Sequence, residues 1–286
     1  MITISVRTMI RICFLPVLAG MLIFLFCTDD FGISPMPGKL VARVIFRGTP
    51  PENTEGVYLN VAPEFPPHAI NELYHSPNSL PLDQDTVITE LALPFGHFDA
   101  VSLWWYNKTT QSNLADILFL LLDPQNSLLP QGFDLSPAHP VHTVELYPNW
   151  NRVDRNATIQ GKIWFNGPFP EDTWVTAIAA YAFEPVVDVH FLVWLKSIDF
   201  SVGTDSRNYN AAENSYTFEL PVRHGSVEYL AVFWLRERSG LTDYVTVGIY
   251  EDPENPGDPA IISLKEGETS PFITIHADWG KIGSSP

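Results

Sequence analysis

Cysteine is almost absent from this chain of 286 residues: only Cys13 and Cys27 occur, and both lie in the amino-terminal apolar segment. The rest can build neither a disulfide framework nor a thiolate metal site. Basic residues are scarce, with 16 Lys and Arg against 33 Asp and Glu and a net charge of −17. Removing residues 1–27 would discard Arg7 and Arg11 and no acid, so the remainder is more anionic still. Nucleic-acid affinity rests on Lys and Arg neutralising phosphates, and this balance argues against that partner. Histidine stops at eight, and no pair sits at a convincing ligand spacing. Gly-x-Ser-x-Gly, a phosphate-cradling glycine loop and His-Glu-x-x-His are all missing, so no motif selects a reaction.

What is present favours strands. Hydrophobic residues make up 45%, enough for a real core, and aromatic residues 13%. The 25 prolines count against long helices, since each removes a backbone donor and fixes φ. The amino terminus reads as an address. Arg7 and Arg11 precede an apolar run from Ile12 to Phe26, which fits a secretory signal and is short for a membrane span. Cys27-Thr28-Asp29-Asp30 follows directly, then a Gly- and Pro-bearing tether through Gly38. This junction resembles bacterial lipoprotein signals, and the acidic pair resembles the segment that sends some lipoproteins of the Bacteroidetes type to the cell surface. The resemblance implies lipidation of Cys27 and membrane attachment through acyl chains, in the outer membrane or at the cell surface. Phe26 departs from the family pattern, which has a small residue before the cysteine.

An internal comparison finds two copies of one domain. Phe46-Arg47-Gly48-Thr49-Pro50-Pro51-Glu52-Asn53-Thr54 matches Phe165-Asn166-Gly167-Pro168-Phe169-Pro170-Glu171-Asp172-Thr173 without a gap. Upstream, Leu40, Ala42 and Val44 pair with Ile159, Gly161 and Ile163, the alternation of a half-buried strand. Asp99 to Trp105 then matches Glu228 to Trp234, and Val144-Glu145-Leu146 with Trp150 matches Ile273-Thr274-Ile275 with Trp279. The spacing predicts repeats over 39–150 and 157–286, after a signal segment 1–27 and a tether 28–38. Apolar stretches broken by Pro, Gly, Asn and Asp predict an all-β fold of two tandem sandwiches. The opening strands that end in Phe-x-Gly-x-x-Pro, at Phe46–Pro51 and Phe165–Pro170, resemble the carboxypeptidase-regulatory-like, or prealbumin-like, Ig-like modules of bacterial surface proteins. That resemblance implies accessory modules that space, adhere or bind and carry no active site.

Two groups of side chains are candidates for binding. Trp104 and Tyr106 fall on the strand face opposite Val101, Leu103 and Trp105, and Trp164 falls on the outward face of the second opening strand. As exposed platforms they would stack on sugars or anchor a protein. The competing reading buries both faces of that sheet, one of them between the domains. Glu251, Asp252, Glu254 and Asp258 cluster in a Pro- and Gly-rich loop, where hard oxygen ligands suit calcium. A solvated turn is the alternative there. Asp188 and His190 would share one side of a strand, and His97 and His224 recur in the repeat alignment as loop polar groups. The residues thus predict an exported, lipid-anchored, non-enzymatic protein of the cell envelope whose tandem sandwiches bind, with a glycan or a surface protein as partner. The rivals are a spacer or assembly subunit of a surface complex, and an enzyme using calcium or paired carboxylates.

Overall fold

Alternating apolar residues make β1 (Gly38–Ile45) a strand with one buried face: Leu40, Ala42 and Val44 are inaccessible to solvent. The computed structural model describes residues 36–67, 70–108, 113–237 and 243–283. The chain divides into units Met1–Pro37 and Gly38–Pro286, and every described strand belongs to the second. Arg7, Arg11 and Cys27 lie outside the described residues.

In the first half of that unit, β1 is followed by β2 (Thr54–Ala62), β3 (Tyr74–His75), β4 (Thr86–Leu93), β5 (Gly96–Phe98) and β6 (Ala100–Asn107). Then come β7 (Ile117–Leu120), β8 (Leu122–Asp123), β9 (Asn126–Pro130), β10 (Phe133–Leu135) and β11 (Val141–Leu146). The second half repeats the series. It opens with β12 (Ala157–Phe165), β13 (Thr173–Tyr181), a helical turn α1 (Asp188–Val193), β14 (Leu195–Asp199), β15 (Tyr209–Asn210) and β16 (Ser215–Val222). It closes with β17 (Gly225–Val227), β18 (Tyr229–Arg236), β19 (Val245–Ile249), β20 (Glu251–Asp252), β21 (Asn255–Pro259), β22 (Ile262–Leu264) and β23 (Ile273–Ala277).

Both halves use one topology. The first strand runs antiparallel to one long strand and parallel to the last: β4–β1–β11 in one half, β16–β12–β23 in the other. The facing sheets are β3–β2–β6–β7 and β14–β13–β18–β19. Each half closes its own core. The side chains that recur in sequence recur in contact. Phe46 stacks on Trp150 and Phe165 on Trp279, both at 5.3 Å between ring centroids. Trp105 Nε1 donates to Thr54 Oγ1 and Trp234 Nε1 to Thr173 Oγ1, both at 2.8 Å. After each opening strand the turn glycine, Gly48 or Gly167, takes positive φ.

A third core joins the halves. On β6, Val101, Leu103 and Trp105 face the first sandwich core, while Ala100 and Trp104 face the second half. On β18, Leu230, Val232 and Trp234 face inward, while Tyr229, Ala231 and Phe233 face the first half. The sheets therefore stack as four layers with apolar residues between each pair. The linker is pinned at the margin of this contact. Arg155 donates to the fully buried Asp116 at 2.6 Å, Asn113 Nδ2 donates to the Ile198 carbonyl at 3.3 Å, and the Arg152 guanidinium donates to the Leu192 carbonyl.

Two substitutions test this packing. Removing one member of a buried ion pair strands the other, so Asp116→Ala is expected to cost about 3–5 kcal/mol. The exposed pair Lys39–Glu90 serves as control, and Lys39→Ala is expected to cost less than about 1 kcal/mol. A Cβ at Gly161 would stand 2.5 Å from the Ile273 carbonyl oxygen and 2.8 Å from the Phe218 ring. Gly161→Ala is therefore expected to cost about 1–3 kcal/mol through overpacking. Urea denaturation of residues 38–286 measures all three.

Candidate functional site

The second repeat is longer than the first, and the excess lies in one place. The offset between equivalent residues is 119 from Ala62 to Tyr181 and 129 from Thr86 to Ser215. The additional chain therefore lies between β13 and β16, the segment that holds α1, β14 and the loop after Asp199. Three hollows adjoin that loop. One, of about 510 Å³, opens between the halves, with Asn53 and Asn107 from the first, Arg155 from the linker, and Asp199, Ser201 and Glu219 from the second. The next, of about 860 Å³, continues past Asp199 and Glu219 to Asp205, Arg207 and Asn208. The last, of about 330 Å³, is lined by Phe169, Trp174, Phe200, Thr204 and Asp205.

Local structure explains how these side chains are presented. The pairing of β13 with β18 slips between Thr173 and Val175, and the residue in the slip is Trp174. A bulge of this kind bends the strand and re-aims a side chain. Trp174 is 51% exposed as a result, and Phe200, just past the end of β14, is 36% exposed. The same bulge occurs in the first half between Thr54 and Gly56, where it carries Glu55. The loop itself is held by Asp199. Its carboxylate accepts from the Ser201 amide at 2.9 Å, the Ser201 hydroxyl at 2.6 Å and the Tyr216 hydroxyl at 3.0 Å. Burial, ahead of the nearby Asp199 charge, pushes the Tyr216 phenol up. Two aromatic faces thus stand beside carboxylates, amides and hydroxyls on a braced loop.

The residues singled out in the sequence fall elsewhere, and they do not come together. Trp104 is 4% exposed inside the core between the halves and offers no platform, because the second half covers its face. Tyr106 is half-buried with its ring edge against Tyr58, 5.0 Å between centroids, and burial pushes its phenol up. Trp164 is half-buried on the outer face of β12, where the Lys162 ammonium stands 4.9 Å from its ring centre. The acidic loop is the β20–β21 hairpin, and it is built as a turn. Asp252 accepts from Asn255 Nδ2 at 2.8 Å and the Glu254 amide at 3.0 Å, bonds that hold its carboxyl below the usual range. Glu251, Glu254 and Asp258 point to solvent. Among the described residues no group of three His, Cys, Asp or Glu is placed to hold a metal ion. The Asp252 oxygens thus accept the turn's own N–H groups. Residues 188–193 form a helical turn in place of the strand expected there.

Trp174 and Phe200 had a signal in the sequence: a tryptophan where the other repeat has glutamate, and an aromatic inside the longer segment. A further buried group is Lys196, pushed down to about 8 by burial, with Arg223 adding to the effect. Its Nζ donates to the Ser226 carbonyl at 2.7 Å and the His224 carbonyl at 3.3 Å, tying β14 to the corner before β17. Among the described residues no helix is long and apolar enough to cross a membrane.

No family model matches the chain, and no curated protein sequence does. Solved structures give distant likenesses. A leucine-rich repeat protein from Bacteroides thetaiotaomicron aligns at 8% identity and a TM-score of 0.31, over 84% of this chain and 26% of that one. This chain thus spans about a quarter of its length. A proposed cell-adhesion protein from Bacteroides fragilis gives 10% and 0.27, over 86% and 93%. The minor pilin of Streptococcus agalactiae gives 10% and 0.25, over 84% and 95%. At such scores a likeness carries no role across, and the functional reading rests on the chain's own geometry.

One titration follows from the geometry of β5. His97 sits between Asp134, 2.9 Å from Nδ1, and Asp99, 3.0 Å from Nε2. The Asp134 hydrogen bond, followed by the charges of both carboxylates, lifts its pKa above 6.5 despite opposing desolvation. A raised folded pKa means the stabilisation is fully present below the unfolded value and is lost as pH rises through the folded one. NMR titration is expected to place His97 above 6.5, and Asp134→Asn to bring it down.

Proposed function

We propose that the chain is an exported, non-enzymatic protein of the cell envelope, lipid-anchored at Cys27, whose two prealbumin-like, Ig-like sandwiches (39–150 and 157–286) present a glycan-binding groove for adhesion. The single observation that carries the binding half is Trp174, set on a bulge and half exposed in a hollow of the second half that shares Phe200 and Ser201 with the polar groove at the junction of the repeats. Aromatic faces take the apolar face of a sugar ring, and neighbouring carboxylates and amides bond its hydroxyls. The address is supported by the basic start, the apolar run and Cys27 with its following acids. The non-enzymatic reading is supported by the roles found for the acids. Asp116 pairs with the linker, Asp199 braces a loop and Asp252 shapes a turn.

A second reading has its own observation. The apolar core shared by the halves makes the pair a stiff unit, which suits a spacer or an assembly subunit. Tryptophan-fluorescence titration of residues 38–286 against a polysaccharide panel separates the two. A saturable shift with one glycan is expected, and Trp174→Ala is expected to weaken it about tenfold, or about 1.4 kcal/mol. The shift is expected to be the same with and without calcium. A flat response across the panel would leave the spacer reading standing.

A further inference from the structure

The two halves differ at one sheet edge. In the second, the outer edge of β16 is partly covered and partly blunted. β15 pairs with it at Tyr209↔Tyr216 and Asn210↔Ser215, and the Thr217 amide donates to the Asn208 carbonyl at 3.1 Å. Further along the same edge stands Pro221, which has no N–H to offer. The counterpart in the first half is β4, last in the order β11–β1–β4, and among the described residues no strand lies beyond it. Among the described residues no main-chain hydrogen bond closes its outer side.

The registers make the equivalence explicit. Arg43 faces Ile88 as Lys162 faces Thr217, and Lys39 faces Ala92 as Thr158 faces Pro221. Ile88 therefore directs its amide outward as Thr217 does, and Ala92 keeps the donor that Pro221 lacks. Thr86, Ile88, Glu90 and Ala92 form a complete row of outward main-chain groups. Ile88 is 68% exposed in the middle of that row. An open, uncovered edge of eight residues with an apolar centre is a template for another strand.

We propose that β4 pairs antiparallel with β4 of a second copy of this chain, about a two-fold axis at Ile88. This inference is independent of the ligand in the groove. Two-fold pairing sets Ile88 against Ile88 and Thr86 against Glu90 of the second copy, apolar to apolar and hydroxyl to carboxylate. Charge favours this face for self-association in a chain of net −17. Here Glu90 is neutralised by Lys39 at 2.9 Å and Glu145 by Arg43 at 2.7 Å. The product is one continuous sheet, β11–β1–β4 joined to β4–β1–β11.

Residues 38–286 form one compact unit holding every described strand and no cysteine, so they suit the test. Sedimentation velocity over a concentration series is expected to show a monomer–dimer equilibrium. Ala92→Pro, which copies the blunted edge of β16, and Ile88→Lys are each expected to raise the dissociation constant at least about tenfold with circular dichroism unchanged. Opposed Cα atoms in a hydrogen-bonded antiparallel pair stand about 5.5 Å apart, within disulfide reach. Oxidised Ile88→Cys is therefore expected to run as a covalent dimer, and Glu90→Cys and Val141→Cys as monomers. The proposal is overturned by a wild-type fragment that stays monomeric, or by a dimer indifferent to Ala92→Pro. Cross-linking through Val141→Cys would also overturn it, assigning the interface to the β11 edge.

Discussion

The central strands of the two facing sheets, β6, β13 and β18, are apolar on both faces, and that constraint organises the rest. A sandwich strand ordinarily turns one face to its core and the other to water. These strands depart from this, since Trp104, Tyr181 and Phe233 stand on the faces turned away from their own cores. Neither sheet could leave those side chains in water without a large exposed apolar patch. Each covers the other, and the chain folds as four layers. Phe191 and Leu192 of α1 extend the same contact. The linker is fixed by the consequence. Arg155 reaches back to Asp116 and lies 6.0 Å from the Trp105 ring, so the joint is defined by a buried charge pair at the rim of an apolar interface.

The groove depends on that joint. Its walls come from both halves, Asn53 and Asn107 on one side, Asp199 and Glu219 on the other, with Arg155 between them. If the halves were free to hinge, no such set of polar groups would hold a constant spacing. A rigid frame carrying a braced loop is the arrangement that limits the entropy lost on binding. The same rigidity serves a spacer equally well. The exposed aromatics are what a spacer does not require, since Trp174 and Phe200 gain nothing in stability from their exposure.

Much of the frame was legible in the sequence, for a simple reason. Side chains that must meet inside a duplicated core are kept in both copies, so Phe46 with Trp150 and Thr54 with Trp105 stood out as recurring residues before their contacts were known. Strand alternation placed Leu40, Ala42 and Val44 on one face for the same reason. The candidate site was harder to read because it falls where the copies diverge. Period-two alternation assigns Trp104 to an outward face, but alternation cannot say whether that face meets water or another sheet. Bulges shift the register by one residue and turn Trp174 outward without any mark in the local pattern. A cluster of acids also looks the same whether its oxygens await a cation or accept the turn's own amides, as those of Asp252 do.

Divergence between the copies follows one rule. The first repeat keeps the shorter connection between β2 and β4 and, among the described residues, leaves β4 open on its outer side. The second spends the extra residues on β15 and the loop after Asp199, which cover part of the β16 edge and brace the groove at once. An insertion at this point is topologically inexpensive, because loop closure grows only slowly with length and both ends already stand on a packed frame. The longer segment thus accounts for two features together: a partly covered β16 edge and the exposed Phe200 beside it. Outside that segment, the bulge of the first repeat carries Glu55 where that of the second carries Trp174. The two copies share a scaffold, and the inequality between them sets an exposed tryptophan on one and, among the described residues, an uncovered sheet edge on the other.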